Sequence, residues 1–181
     1  LAEYAEIICR YRIEFIEKLN NKIKKIHSEV TENKEKLEIK YITECENKEN
    51  YLSLLKQRRK LDIIKGFTTK GIHRDDFKCF INDKEIEIYG SQGQHRTAIL
   101  SLKLAELYVI YDEIGEYPIL LLDDFMSELD EKRRKSFLSY IKDTQVIITC
   151  TDKMELDNIK LFNVINGEII DKVDKREKIE N

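Results

Sequence analysis

Two short segments hold the residues whose types and spacing suit phosphate chemistry. Gly90-Ser91-Gln92-Gly93-Gln94 leads into a helix-like stretch and puts a hydroxyl, a permissive glycine and backbone N–H groups at a helix start. Unpaired N–H groups and the helix dipole favour an anion there. Ile119-Leu120-Leu121-Leu122-Asp123-Asp124 is an apolar strand ending in two carboxylates, with Ser127-Glu128-Leu129-Asp130 close behind. Adjacent carboxylates at the end of a buried strand repel each other and lose hydration unless a cation or donors compensate. Magnesium would compensate them, one carboxylate facing the ion and the next facing an attacking water. Each segment also has a plain reading. Ser91 suits an ordinary helix N-cap, Asp123 and Asp124 an acidic helix start, and Ser127 and Asp130 caps of the next helix.

Other candidates carry less chemistry. Gly66-Phe67-Thr68-Thr69-Lys70-Gly71 has the glycine spacing of a phosphate loop but continues Ile72-His73, without the Lys-Ser/Thr that would reach phosphate and magnesium. No G-x-x-x-x-G-K-[ST] occurs in the sequence. His73-Arg74-Asp75-Asp76 reads as a site edge or a salt-bridged turn. Thr149-Cys150-Thr151 ends a strand where a neighbouring strand tip would sense a γ-phosphate. A catalytic thiol at Cys150 lacks a nearby base in the sequence.

Helices and strands must hold these groups. Apolar residues recur at helical spacing from Ala2 to about Leu37 (Ile7, Ile8, Tyr11, Phe15, Leu19, Ile23, Ile26, Val30), predicting a long amphipathic helix with one buried face. The polar stretch 31–36 and a strand-like 37–42 interrupt it. A second helix is predicted over 50–65, with Leu52, Leu55, Leu61 and Ile64 inward. Residues 78–81 and 85–89 alternate around Asn82-Asp83 as a hairpin. A well-buried helix follows over 94–114. Then come a central strand covered on both faces (118–122), a helix (130–141) and a second buried strand (145–149). Residues 161–165 and 168–172 flank Asn166-Gly167, a strong hairpin signal. The alternation makes an α/β layer, with the leading helices as a separate layer.

Composition narrows the classes. The 181 residues are 37% charged with a single proline, which favours long solvated helices. A net charge of −3 gives no overall footprint for nucleic acid, so DNA contact would need local clusters such as 56–60 or Arg133-Arg134-Lys135. Cys9, Cys45, Cys79 and Cys150 show no C-x-x-C spacing and the histidines no ligand spacing, so a reduced cytoplasmic protein without structural zinc is expected. No apolar run reaches membrane-spanning length. The chain starts at Leu1 and reads as a piece of a longer protein.

Taken together, Gly71-x-His73-Arg74-Asp75-Asp76, the Gly90–Thr97 segment, Ser101-Leu102-Lys103-Leu104-Ala105-Glu106 and the Leu120–Asp130 segment resemble, in order, the C-terminal half of the bacterial RecF family of DNA replication and repair proteins, ABC-type ATPases related to the SMC proteins. The resemblance is close from Gly71 to about Thr151 and loose before it. It implies an α/β fold, the C-terminal part of an ABC-type, P-loop NTPase-like ATPase head with a preceding helical second lobe. It divides the chain into a mainly helical lobe or arm (1–70), a hairpin and signature helix (71–116), and Walker B, D-loop and C-terminal strands (117–181).

The resemblance also implies roles. Ser91, Gln92, Gly93 and Gln94 form the signature that reaches a partner subunit's nucleotide. Asp123 holds Mg²⁺, directly or through water, and Asp124 polarises the attacking water. Ser127, Glu128, Leu129 and Asp130 are the D-loop, and Cys150 or Thr151 is the switch. ATP and magnesium are the implied cofactors of the intact protein, with a Walker A loop outside this sequence and slow hydrolysis. The implied partners are junctions of double- and single-stranded DNA, a second copy in an ATP-dependent homodimer, and RecO- and RecR-type mediators. They act in replication, recombinational repair and the SOS response, with no membrane. The sequence departs from the pattern at Asp124, where most ABC ATPases have Glu, at the absent switch histidine, and at Ile72, where proline is expected. A reading from another class is a non-catalytic helical interaction or dimerisation module.

Overall fold

The computed structural model describes residues 1–123, 131–151 and 159–175. Helix α1 (Ala2–Val30) runs without glycine or proline through a sequence rich in good helix formers. It stops at Val30 because Glu32 and Asn33 take left-handed backbone (φ 55° and 60°) and Thr31 turns its hydroxyl back onto the His27 carbonyl. The predicted extension to Leu37 is therefore corrected. So is its single buried face. Leu19, Ile23 and Ile26 are buried, whereas Tyr4, Ile7, Ile8, Tyr11 and Phe15 are exposed. In the first half of the helix the covered residues are the small Ala2, Ala5 and Cys9. Ala2 and Ala5 lie in one apolar cluster with Cys45 and Tyr51.

Strand β1 (Leu37–Ile42) leads to α2 (Lys48–Lys65), which starts earlier than its apolar pattern suggests because the Asn47 side chain accepts the Asn50 N–H at 2.8 Å. Gly66 ends α2 in left-handed backbone. Only Tyr51 of this helix is buried; Leu52 and Ile64 face solvent, against expectation. A 3-10 turn at Ile72–Arg74 precedes β2 (Asp76–Ile81). That strand pairs antiparallel with β1 on one side and β3 (Lys84–Glu85) on the other.

The hairpin turn is as predicted, with Asn82 and Asp83 both at positive φ. Its second arm is not. After Glu85 the chain closes into the short helix α3 (Ile86–Tyr89), and the Ile86 carbonyl accepts from the Gly90 N–H at 2.7 Å and lies 2.9 Å from His95 Nε2. Ile86 thereby stays buried instead of continuing a strand.

Helix α4 (Gln92–Ile114) is the central element. It lies antiparallel to α1, linked by Lys18–Glu113 and Lys22–Asp112 ion pairs and by a His27–Ser101 hydrogen bond. Its Leu100, Leu104, Leu107 and Val109 join Leu19, Ile23 and Ile26 of α1 and Leu37 and Ile39 of β1 in the main core. Strand β4 (Leu120–Asp123), α5 (Glu131–Tyr140) and β5 (Val146–Thr149) follow, and the two strands pair in parallel with Asp123 opposite Thr149.

This pair is not covered on both faces as its apolar run suggests. Leu122 is buried, while Leu121 (69% exposed) and Ile147 (55%) point to solvent. Strands β6 (Ile159–Ile165) and β7 (Glu168–Lys175) form the expected hairpin, turning on Asn166 and Gly167 at positive φ.

Candidate functional site

Ser91 caps α4 in a reciprocal capping box. Its hydroxyl oxygen accepts the Gln94 N–H at 3.2 Å, and its own N–H donates to Gln94 Oε1 at 2.9 Å. The box uses a lone pair of the Ser91 hydroxyl and leaves its proton available as a donor. The Gln92 and Gly93 N–H groups belong to the first helical turn and have no carbonyl of the helix to bond. Ser91 and Gln92 are exposed.

The two glycines of the segment differ. A Cβ on Gly90 would sit 2.5 Å from the Ile86 carbonyl oxygen, so packing requires glycine there. At Gly93 the nearest atom is Arg133 Nη2 at 3.5 Å, an ordinary contact. Among the described residues nothing packed against Gly93 demands glycine, despite the cost of glycine in a helix. Beside this turn lies a cleft of about 410 Å³ lined by Thr31, Glu32, Glu35, Ser91, Gln94 and Lys132, among others.

Asp123 ends β4 and is exposed, at the carboxyl end of a parallel strand pair, where ligands bind in open α/β sheets. It is not the desolvated carboxylate that the strand pattern suggests. Thr149 Oγ1 donates to Asp123 Oδ1 at 2.5 Å. Cys150 and Thr151 follow it, both exposed. Asp124 and the predicted D-loop residues Ser127, Glu128, Leu129 and Asp130 lie outside the described residues. Asp123 and Thr149 do not line the cleft beside Ser91. Among the described residues no group of three His, Cys, Asp or Glu side chains is placed to hold a metal. No helix among them is long and apolar enough to cross a membrane.

The remaining motifs have structural explanations. Asp75, with a side chain only 3% exposed, accepts the Tyr41 hydroxyl and sits 3.5 Å from Arg12 Nη1. Burial, helped by that carboxylate, pushes the Tyr41 phenol up to about 12. Arg12 also donates to the Ile72 carbonyl at 2.6 Å, so the His73–Asp76 segment is a salt-bridged turn. In the Gly66–Gly71 loop the first glycine is a helix cap, and the second packs so closely that an added Cβ would lie 2.2 Å from the Tyr51 hydroxyl.

Two residues beside the Ser91–Gln94 turn carry no motif and are missed by sequence reasoning. Glu35 Oε1 accepts Gln94 Nε2–H at 2.9 Å. Its other oxygen is 3.3 Å from Nε2 of His27, which is fully buried in α1. Burial lowers the His27 pKa and the Glu35 carboxylate partly offsets that. Only the Gln at the third helical position, which completes the Ser91 box, hinted that Gln94 has a fixed orientation.

No protein-family model matches the chain. Among curated proteins, the DNA replication and repair protein RecF of Clostridium perfringens strain 13 is 47% identical over 178 residues, covering 93% of this chain and 49% of that protein. RecF of Clostridium beijerinckii is 47% identical over 180 residues, with coverages of 94% and 49%. Among solved structures, the recombination mediator RecF with ATP in the RecFOR pathway aligns with a TM-score of 0.81 at 40% identity, over 96% of this chain and 48% of that one. RecF with ATPrS aligns at 0.82 and 39%, with the same coverages. The chain thus spans about half the length of the relatives it matches. Its fold is the α/β fold of the corresponding part of an ABC-type ATPase.

Proposed function

We propose that this chain, which corresponds to the C-terminal half of RecF, supplies the signature and Walker B parts of a composite ATPase site in a protein of DNA replication, repair and recombination. Ser91, Gln92, Gly93 and Gln94 meet the γ-phosphate of a nucleotide held by a second copy. The Ser91 hydroxyl and the Gln92 and Gly93 N–H groups donate to it. The observation that carries this reading is the Ser91–Gln94 box, which uses the capping groups internally while the first-turn N–H groups have no carbonyl of the helix to bond, beside a glycine that no described neighbour requires.

Asp123 is assigned the magnesium-linked carboxylate. One of its oxygens takes the Thr149 hydroxyl, leaving the other for the ion or a water bound to it. Magnesium keeps most of its waters and needs only one or two carboxylates besides phosphate, so this donor set fits. When bound, the ion neutralises charge on the transferring phosphoryl group. Asp124 orients the attacking water, slowly because its side chain is short. Ser127 to Asp130 cross between copies as the D-loop, and Cys150 or Thr151 follows Thr149 as the switch.

The division into a helical lobe or arm (1–70), a hairpin with the signature helix (71–116) and the Walker B segment with later strands (117–181) belongs to the same proposal. ATP-dependent homodimers would engage junctions of double- and single-stranded DNA and, with RecO- and RecR-type mediators, load recombinase there. This half alone is expected to turn over no ATP, since it carries no Walker A loop.

The test is ATP-induced dimerisation of a protein containing both halves. Ser91→Arg fills the donor turn with a bulky cation and should abolish dimers. Dimers that persist on ATP would remove the assignment. One observation favours a helical interaction module instead: the exposed row Tyr4, Ile7, Ile8, Tyr11 and Phe15 on α1. Under that reading, cells carrying Asp123→Ala in the full protein resist DNA damage as well as wild type; under the ATPase reading they do not.

A further inference from the structure

Glu35 belongs to none of the motifs, yet from the loop between α1 and β1 it is bonded to the Ser91–Gln94 turn. We propose that Glu35 is a positioning residue for the Ser91 turn, fixing the Gln94 side-chain amide in the one orientation that completes the capping box and tying it to buried His27. The inference rests on the reading of Ser91 to Gln94 as a phosphate-binding turn.

The geometry leaves one self-consistent set of polarities. An amide side chain offers an acceptor at one end and donors at the other, and a carboxylate offers acceptors only. Gln94 Oε1 takes the Ser91 N–H at 2.9 Å and Nε2 gives its proton to Glu35 Oε1 at 2.9 Å. Flipped, the amide would set its N–H₂ against the Ser91 N–H and its oxygen against the carboxylate. Both contacts would be repulsive, so the carboxylate reinforces the orientation that the Ser91 N–H requires.

The network continues. Glu35 Oε2 takes the proton on His27 Nε2, whose other ring nitrogen is 2.9 Å from Ser101 Oγ. The Ser101 hydroxyl lies 2.9 Å from the Thr97 carbonyl, and the Thr97 hydroxyl donates to the Gly93 carbonyl at 2.7 Å. The Ser91–Gln94 turn is therefore held at the Gly93 carbonyl by the Thr97 hydroxyl and at the Gln94 amide by Glu35, which His27 backs. Thr97, Ser101 and His27 are all buried, so their partners are costly to lose.

Two variants of the protein with both halves test the role. Glu35→Gln keeps the shape but has one acceptor oxygen for two donors. Pairing it with Gln94→Glu reverses the polarity. The new amide at position 35 then accepts from His27 and donates to the new carboxylate at position 94, which takes the Ser91 N–H.

The readouts are hydrogen exchange at the Ser91 amide and the affinity of the ATP-dependent dimer. Glu35→Gln should speed exchange at Ser91 and weaken the dimer about tenfold, the scale of one charge-assisted hydrogen bond. The paired exchange should restore the slow exchange at Ser91, since it remakes the bonds without the original residues. Unchanged Ser91 exchange in Glu35→Gln, no recovery of slow Ser91 exchange in the pair, or loss of protection along all of α4 in both would overturn the positioning role. Ser91→Arg separates the two claims. If it still dimerises on ATP, the phosphate-binding reading fails. If it blocks dimers while Glu35→Gln behaves as wild type, only the role of Glu35 fails.

Discussion

Thr149 donates its hydroxyl proton to Asp123 across the tips of two parallel strands, Oγ1 to Oδ1 at 2.5 Å. The register of β4 on β5 sets these residues opposite each other, so the contact is a direct product of the strand pairing. The bond orients a carboxylate that is otherwise exposed at the sheet edge.

If Asp123 is the magnesium-linked group, losing this bond should lower kcat more than it raises KM for ATP. In a protein with both halves, Thr149→Val should reduce kcat by roughly three- to tenfold, the scale expected from loss of one orienting hydrogen bond. Thr149→Ser should recover most of it. Steady-state kinetics read both, and an unchanged kcat in Thr149→Val argues against Asp123 as the site carboxylate.

Asp124 lies outside the described residues, and its assignment predicts a kinetic signature. Asp124→Asn should bind ATP and dimerise but dissociate more slowly, because the water is no longer polarised. Light scattering after ATP dilution measures the lifetime. Faster dissociation than wild type removes the role.

His27 gives a pH dependence with a definite sign. Its pKa in the folded chain is lowered by burial, with Glu35 opposing, so the unfolded chain binds the proton more readily. Its contribution to stability is complete above the unfolded value of about 6.5. The contribution is lost as pH falls through that value towards the lower folded one. Urea unfolding between neutral and mildly acidic pH should show stability falling in wild type and a flatter profile in His27→Gln. Equal slopes in the two proteins would contradict this.

Two glycines separate backbone strain from crowding. Gly66 and Gly71 both have positive φ, 73° and 142°, but only Gly71 faces a close neighbour, the Tyr51 hydroxyl. Gly66→Ala should cost about 1 kcal/mol from backbone conformation alone. Gly71→Ala should cost about 2–4 kcal/mol, since the Tyr51 ring must also move. Chemical denaturation gives both values, and comparable costs would show that Tyr51 yields freely.

Local chemistry made much of this legible in the sequence. Strand β1, the Asn82-Asp83 and Asn166-Gly167 turns, the Ser91 cap and the two parallel strands follow from turn residues, a capping serine and short apolar runs. Features set by distant partners were not legible. The first half of α1 buries Ala2, Ala5 and Cys9 because α2 packs close to it, which leaves the larger Ile7, Tyr11 and Phe15 outside. The stripe gave those large residues the covered face. Strand β3 stops after Glu85 because Gly90 and His95 satisfy the Ile86 carbonyl. The Glu35–Gln94 bond joins residues 59 positions apart, and neither His27 nor Glu35 has a neighbour in sequence that marks it.

The most direct measurement of the central claim is ATP turnover by this chain, alone and mixed with the Walker A-bearing half, with gapped DNA present and association of the halves monitored in parallel. The account predicts no turnover by this chain alone, turnover in the mixture, and its loss with Ser91→Arg or Asp124→Asn. Turnover absent from an associated mixture, or undiminished by Ser91→Arg, would contradict it and leave Ser91 and Asp123 as helix cap and strand end.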